Sequence, residues 1–504
     1  MEEKMEPVSR REGIALLAGF ALAAAHQYLF YGNGFGVSVP IFVILFYLYI
    51  YVFAKGRLRR PITWFDWLAF AAVLLLSMTF VLFANPLFFA LNLLALPCLI
   101  LLHTTYLLDS ERRSWSDPRL IIGALDHLIP QCLRHFGTVF ALAGSLTFRK
   151  LEEGRRKMLG KVLIGLAFSM PLLMIVISLL SSADGRFDRI LTAIPDWLSR
   201  HITWEDGLFR LIWIILLGIL LFGYLWGFVN PWRYEPQTGA NGGNGVPPGG
   251  GVDEKIDIRF DPVITATVLI SVNIVYLAFV SLQFTYLFGA WRGVLPEGST
   301  YAEYARSGFL ELVAVTAINF AILIGTLVFG GEAGTLLRRL NRAMLYILVV
   351  CSCIMLVSAY TRLVLYEQAY GYTYIRFLVH AFMIFLGVLL LCAGLRIRYE
   401  AVPLGKCFIV IGLVAYVAVN YANMDRFIAA KNIEHYADEG RIDSSYLTGL
   451  SADALPMLLS FSREHAPDLN RELRERWQHL RVDDRGWPGF NAAKHRALQA
   501  LKQK

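Results

Sequence analysis

The chain has 504 residues, 56% of them hydrophobic, and a mean hydropathy of +0.52, against an apolar share of about 45–50% in soluble domains. This excludes a string of ordinary soluble domains. The formal charge of +8 is not a nucleic-acid footprint either, because Lys and Arg gather in short loops between apolar runs, where they orient a membrane protein.

Residues 1–12, MEEKMEPVSRRE, form a polar start that reads as cytoplasmic. The apolar run after it ends in His26 and Gln27 and lacks a small-residue cleavage pattern, so it reads as a retained first span. Residues 13–235 then hold about six spans, at 14–30, 37–53, 67–83, 87–106, 161–180 and 209–228. Each is an unbroken apolar run on the scale of the roughly 20 residues that cross a bilayer as a helix. Membrane strands would instead alternate at period two.

Within this half, residues 109–160 make a cytoplasmic amphipathic segment. Ile121, Leu125, Leu128, Cys132, Phe136 and Val139 recur at helical spacing, with Asp126, His127, Arg134 and His135 expected on the other side. Pro130 is expected to kink it. Residues 187–197 suggest a shorter helix of the same kind on the opposite side of the membrane.

Residues 236–258 begin PQTGANGGNGVPPGGG and read as a flexible cytoplasmic linker, since no phosphate-loop pattern surrounds the glycines. Residues 259–423 supply about five more spans, at 263–288, 309–329, 343–360, 377–395 and 407–419. The first two are long apolar helices joined by a polar loop; each carries one amide near its middle, Asn273 and Asn319, and the second carries Glu311 near its start. Residues 424–504 mix acidic and basic side chains and read as a small extracytoplasmic helical domain. Within it Ser451 is expected to cap a helix, with further helices at 470–480 and 490–501.

The fold class is therefore all-α and integral to the membrane, with about eleven transmembrane helices. Basic residues cluster in alternate loops, at 4–11, 55–60, 112–157, 338–342 and 396–406, while the intervening loops hold few, among them Arg186, Arg189, Arg200, Arg292 and Arg306. The positive-inside rule then places the amino terminus in the cytoplasm, and an odd span count places the carboxyl terminus outside.

The six cysteines include Cys98, Cys351, Cys353 and Cys392 inside apolar runs and Cys132 and Cys407 beside them. With no CxxC pair and no His/Cys cluster, neither a disulfide framework nor a metal site is indicated.

Several strings match a known family: LLSSADGRFDRIL at 179–191, LPEGSTYAEYARSGFLELVAVTAIN, TRLVLYEQAYGYTYIRFLVHAFM, and the closing GWPGFNAAKHRALQAL. On these motifs the chain resembles the bacterial multi-pass membrane proteins grouped as domain of unknown function 4173. The resemblance implies a bacterial cytoplasmic-membrane protein and implies no activity, cofactor or catalytic residue.

Polar residues placed by depth point to an outward-facing ligand site built from Glu311, Arg362, His380 and Asn420, with Asn273 and Asn319 beneath it at the midplane. Tyr366, Glu367 and Tyr370 are expected in the adjoining loop. Ionisable groups at depth cost about 2.5–3.5 kcal/mol on insertion scales and usually face partners in the bundle. The competing reading is structural. Glu311 and Arg362 would then form a stabilising pair, the two amides would be interhelical contacts worth about 0.6 kcal/mol, and His103 and His127 would be ordinary interfacial residues.

No GxSxG, HExxH or SxxK pattern supports catalysis, and no cofactor box is present. Three functions stay open: a non-enzymatic sensor or assembly protein, a proton-coupled small-solute permease, and a transferase at the outer face. The first ranks highest. Its expected partners are the lipid bilayer and either another membrane protein or an external small ligand, with no nucleic acid.

Overall fold

The computed structural model describes residues 10–57, 61–108, 113–139, 142, 205–231, 260–291, 309–329, 331, 334–478 and 486–503. Every regular element among them is a helix. The expected span at 161–180, the helix at 187–197 and the linker at 236–258 lie outside the described residues.

The described helices are α1 (Arg10–Phe30), α2 (Ser38–Ala54), α3 (Trp64–Leu82), α4 (Pro86–Leu108), α5 (Arg119–Asp126), α6 (Glu205–Val229), α7 (Pro262–Trp291), α8 (Phe309–Phe329), α9 (Thr335–Tyr370), α10 (Tyr374–Arg398), α11 (Leu404–Tyr421), α12 (Met424–Glu439), α13 (Ser444–Thr448), α14 (Leu455–His465), α15 (Pro467–Trp477) and α16 (Ala492–Lys502). Eight of them are long and apolar enough to cross a membrane, and α2 and part of α8 are shorter apolar helices. Many large apolar side chains on these helices face outward, such as Leu94, Ile274 and Leu391. Lipid is the solvent that such a surface requires.

The chain forms two compact units, Met1–Phe83 with Leu87–Pro236 and Arg481–His495, and Ala84–Pro86 with Gln237–Leu480 and Arg496–Lys504. In the first, α1 lies against α6 and α2, and α2 against α3, around a core that includes Phe222, Leu225 and Ala23. Thr63 starts α3 through a capping box in which its backbone N–H donates to Asp66 Oδ2 at 2.6 Å. The far end of α3 is closed by Asn491, whose Nδ2 donates to the carbonyls of Phe80 and Phe83 at 2.9 and 2.8 Å.

The amphipathic segment folds as α5, a π-helical stretch at His127–Gln131, and a further turn at Cys132–Arg134. Pro130 lies inside the π-helical stretch; its missing N–H removes one rung of the α ladder, and the chain widens there instead of breaking. The residues expected on the polar side divide: Asp126 and Arg134 are exposed, His127 is half-buried and His135 is buried. Ile121, Ile122, Leu125, Leu128, Ile129 and Leu133 are exposed, whereas Gln131, Cys132 and His135 are buried. His127 stacks on Phe228, with ring centroids 4.0 Å apart, and His135 Nε2 lies 3.1 Å from the Asn230 carbonyl. Burial lowers the pKa of His135, and the bond to Asn230 opposes that shift. The burial of Gln131 and Cys132 has a packing cause. Gly223 and Gly227 open a strip on α6 that the backbone of Cys132 and the side chain of Gln131 fill, which leaves the aliphatic face free for an apolar solvent.

In the second unit α9 is central, packing against α7, α8 and α10, and α10 in turn against α11 and α12. At 36 residues and 1.5 Å per residue it is about 54 Å long, more than the roughly 40–45 Å of a whole bilayer. This extends the expected span at both ends, so Tyr366, Glu367 and Tyr370 lie on the last turns of a helix and not in a loop. No breaker occurs between Tyr360 and Gly371, and Gly371 ends the helix at φ +72. In the tail, Ser451 does not cap a helix as expected. It makes a tight turn in which its hydroxyl accepts from the Asp453 N–H at 3.3 Å, and α14 begins after Ala454 with Pro456 in its first turn. Arg463 and Arg474 donate to the carbonyls of Ala500, Leu501 and Gln503, holding the end of α16.

A Cβ at position 223 would stand 2.7 Å from the Cys132 carbonyl oxygen. Gly223→Val should therefore push the amphipathic segment off α6 and cost about 1–3 kcal/mol. Thermal unfolding of the detergent-solubilised chain, with Gly207→Val in open space as the control, measures it.

Candidate functional site

The second unit contains a groove of about 580 Å³ whose head is polar and whose walls are apolar. Glu367 from the end of α9 and His380 from α10 stand at the head, with Tyr372 between them in the chain. Phe385 and Val388 of α10 and Ala415 and Ala418 of α11 line the walls, and Phe427 and Lys431 of α12 also line it. From His380 to Val388 the groove follows α10 for about 12 Å. Small side chains on α11 create the space, since Ala415, Ala418 and Ala422 recur at helical spacing along one face.

His380 Nε2 and Glu367 Oε2 are 2.7 Å apart, and the Glu367 side chain is only 1% exposed. Its second oxygen, Oε1, is buried with no hydrogen-bond donor in place. The ring of Tyr360 meets His380 edge-on at 4.9 Å. In the loop after α9, burial first, and then the Glu367 charge, push the Tyr372 hydroxyl up to about 12. It therefore stays protonated and able to donate. A charge removed from water in this way needs its partner, because stripping one member of a buried pair costs several kcal/mol.

The groove is held to the tail helices by a buried polar cluster. Asn432 of α12 clasps the α9–α10 loop from both sides: its Oδ1 accepts from the Tyr372 N–H at 3.1 Å and its Nδ2 donates to the Tyr372 carbonyl at 2.9 Å. Gly371 must be glycine here, since its φ is positive and a Cβ would collide with Asn432 Oδ1. One helical turn and more before Asn432, the Asp425 carboxylate accepts from the Tyr374 hydroxyl, from Asn85 Nδ2 at 2.5 Å and from the Ser451 N–H at 3.2 Å. Asp453 accepts from the Ala84 N–H at 2.6 Å and lines a second cavity of about 650 Å³ with Arg426 and Arg496. Burial, reinforced by the nearby Asp425 charge, raises its pKa to about 6.

Of the residues singled out by depth whose side chains are described, His380 alone lines the groove. Asn420 is buried and donates to the carbonyl of Tyr416 on its own helix at 2.9 Å. Asn273 donates to the Met344 carbonyl at 2.8 Å and Asn319 to the Ser352 hydroxyl at 2.9 Å. The two amides thus dock on α9 about 12 Å apart along its axis, eight residues at 1.5 Å each, and do not converge. Arg362 lies on α9, half-buried. Glu311 lies in the first turn of α8, and its side chain is outside the described residues.

The sequence reading left Glu367 as a loop residue, and missed Asp425 and Asp453. The spacing of Glu367 and His380 across a short turn was a usable signal, because Gly371 brings two helix ends together. In the first unit His103 is buried, with Nδ1 2.9 Å from the Tyr47 hydroxyl and Nε2 4.0 Å from Asp66 Oδ1. Among the described residues no three His, Cys, Asp or Glu side chains are placed to hold a metal ion.

Asp453 yields a pH dependence with a definite sign. Its pKa in the folded chain, about 6, exceeds the ordinary value of 3.8, so the folded state holds its proton longer than the unfolded state does. The contribution of this group to stability is complete below about pH 4 and is lost as pH rises to about 6, by at most about 3 kcal/mol. Asp453→Asn should flatten that part of the profile and be no less stable than the parent at pH 7. Melting temperatures between pH 4 and pH 8 read this directly.

Comparison with curated proteins and with solved structures returned no match. The model of a family described as Domain of unknown function (DUF4153) matches residues 70–461, from α3 through most of α14. That span exceeds half of the 504 residues, so the chain belongs to the DUF4153 family, and not to the similarly described family 4173 that its motifs resemble.

Proposed function

We propose that this chain is a non-enzymatic membrane receptor with a sensing or assembly role. It takes a small amphiphilic ligand into the groove between α10 and α11 and reports occupancy through the tail helices. The observation that carries this reading is the Glu367–His380 pair, 2.7 Å apart at the head of a groove with largely apolar walls. Such a site matches a ligand with one polar end and a short hydrocarbon body. The roof belongs to α12, so filling the groove bears on Phe427 and Lys431 and thence on the Asn432 and Asp425 contacts. Only 11% of α11 is buried, which leaves a flank open to lipid or to a second membrane protein.

The setting we infer is a bacterial cytoplasmic membrane crossed eleven times. The ten apolar helices among the described residues would be joined by one at 161–180, with the amino terminus cytoplasmic and the tail outside. The charge bias of the loops supports that orientation, and it puts the head of the groove in the outer leaflet. Glu311, Arg362 and Asn420 would then border this ligand site, and Asn273 and Asn319 would brace α9 below it.

A proton-coupled permease is the second reading, favoured by the same pair, since a buried carboxylate on an imidazole can exchange a proton with a passing solute. Ala418→Trp fills the groove, and Glu367→Gln removes its charge while keeping a hydrogen-bonding side chain. In native mass spectrometry of the detergent-solubilised chain, a retained small ligand should be present in the parent and reduced at least tenfold in both variants. The melting temperature of Ala418→Trp should stay within a few degrees of the parent, while that of Glu367→Gln falls because His380 loses its carboxylate partner. Equal retention by all three proteins would sink the receptor reading, and solute uptake into vesicles that stops with Glu367→Gln would replace it by the permease.

A further inference from the structure

At the opposite end of α9 from Glu367, the starts of α7 and α9 and the ends of α8 and α10 enclose a cavity of about 310 Å³. Arg338, Arg342, Arg396 and Glu400 supply its charge, and Asn341 and Thr265 its neutral polar groups. Arg342 is spent on Glu400, Nη2 to Oε1 at 2.7 Å. Arg338 and Arg396 have no carboxylate partner among the described residues. Asn341 gives its Nδ2 to the Pro262 carbonyl at 3.2 Å, and its Oδ1 is buried without a donor. Among the described residues the cavity therefore offers two guanidinium forks without a carboxylate partner and one acceptor without a donor.

The surroundings say what kind of anion fits. Leu336, Leu340, Val263, Ile264, Val328 and Leu395 are all exposed on the same four helices, and Leu336 and Leu340 flank Arg338 in sequence. Guanidinium groups next to bare aliphatic side chains suit a phosphate that carries hydrocarbon chains. Planar forks bind phosphate oxygens in pairs, and basic pockets between spanning helices are suited to acidic headgroups.

We propose that this cavity binds the phosphodiester headgroup of an anionic phospholipid. Arg338 and Arg396 hold the phosphate oxygens, and Asn341 Oδ1 accepts from a headgroup hydroxyl. Glu400 competes with the lipid for Arg342, so it sets how tightly the headgroup is held. Free phosphate shares this chemistry, and the acyl chains distinguish the two.

The full chain, delipidated in a neutral detergent, is titrated with phosphatidylglycerol, phosphatidylcholine or sodium phosphate while its melting temperature is followed. Phosphatidylglycerol should stabilise it saturably and phosphatidylcholine should not. Arg338→Gln and Arg396→Gln should each weaken apparent binding about fivefold, the effect of about 1 kcal/mol per basic residue near an acidic headgroup. Arg339→Gln, exposed and outside the cavity lining, should change it less than about twofold. Glu400→Gln should tighten binding, a gain that misfolding does not produce. Stabilisation by sodium phosphate that needs Arg338 and Arg396 keeps the site and assigns it to a soluble anion. Equal effects of Arg339→Gln and Arg338→Gln, or equal stabilisation by both lipids, would overturn the proposal.

Discussion

The Asp425 carboxylate is the contact on which the second unit depends. It is fully buried and accepts from a hydroxyl on α10, an amide at Asn85 and a backbone N–H at Ser451. A buried carboxylate is tolerable only when its lone pairs are filled, and here the donors come from three chain segments far apart in sequence. Their agreement on one point fixes where α12 starts. Asn432 then lands on the α9–α10 loop, Phe427 and Lys431 reach the groove, and Glu367 meets His380. Each step follows from the rigidity of a 16-residue helix pinned near its first turn.

The spanning helices were legible because their signal is local and long. The apolar runs at 14–30 and 377–395 each fall inside an observed helix extending only a few residues further, and the run at 67–83 overruns the end of α3 by one residue. Breakers explain the accuracy of those ends: Pro61 and Pro86 bracket α3, and Gly371 lies just before the start of α10. The misplaced start of the 343–360 span has a physical reason too. Arg338, Arg339 and Arg342 are good helix formers whose charge ends a hydropathy run without ending a helix. Polarity and backbone conformation part company at a membrane surface.

The site was much less legible. Depth along each helix follows from counting residues, but the azimuth at which a helix is turned does not. Asn420 has suitable depth and bonds to its own helix, while Ala415 and Ala418, which have no polar atoms to attract notice, shape the groove. Asn273 and Asn319 share a depth class yet dock on different turns of α9. The amphipathic segment shows the same limit from the other side: Gln131 and Cys132 face inward because α6 offers glycines to receive them, while Asp126 and Arg134 stay exposed. Polar side chains in lipid follow available partners, which are distant in sequence.

The length of α9 has a mechanical consequence. Arg338 and Glu367 are 29 residues apart on one uninterrupted rod, about 44 Å along its axis, beyond the span of any single small molecule and several screening lengths in salt water. Neither direct touch nor charge carries a message between its two tips. What remains is tilt or translation of the rod as a whole, and whatever restrains one tip restrains the lever arm at the other by the same free energy.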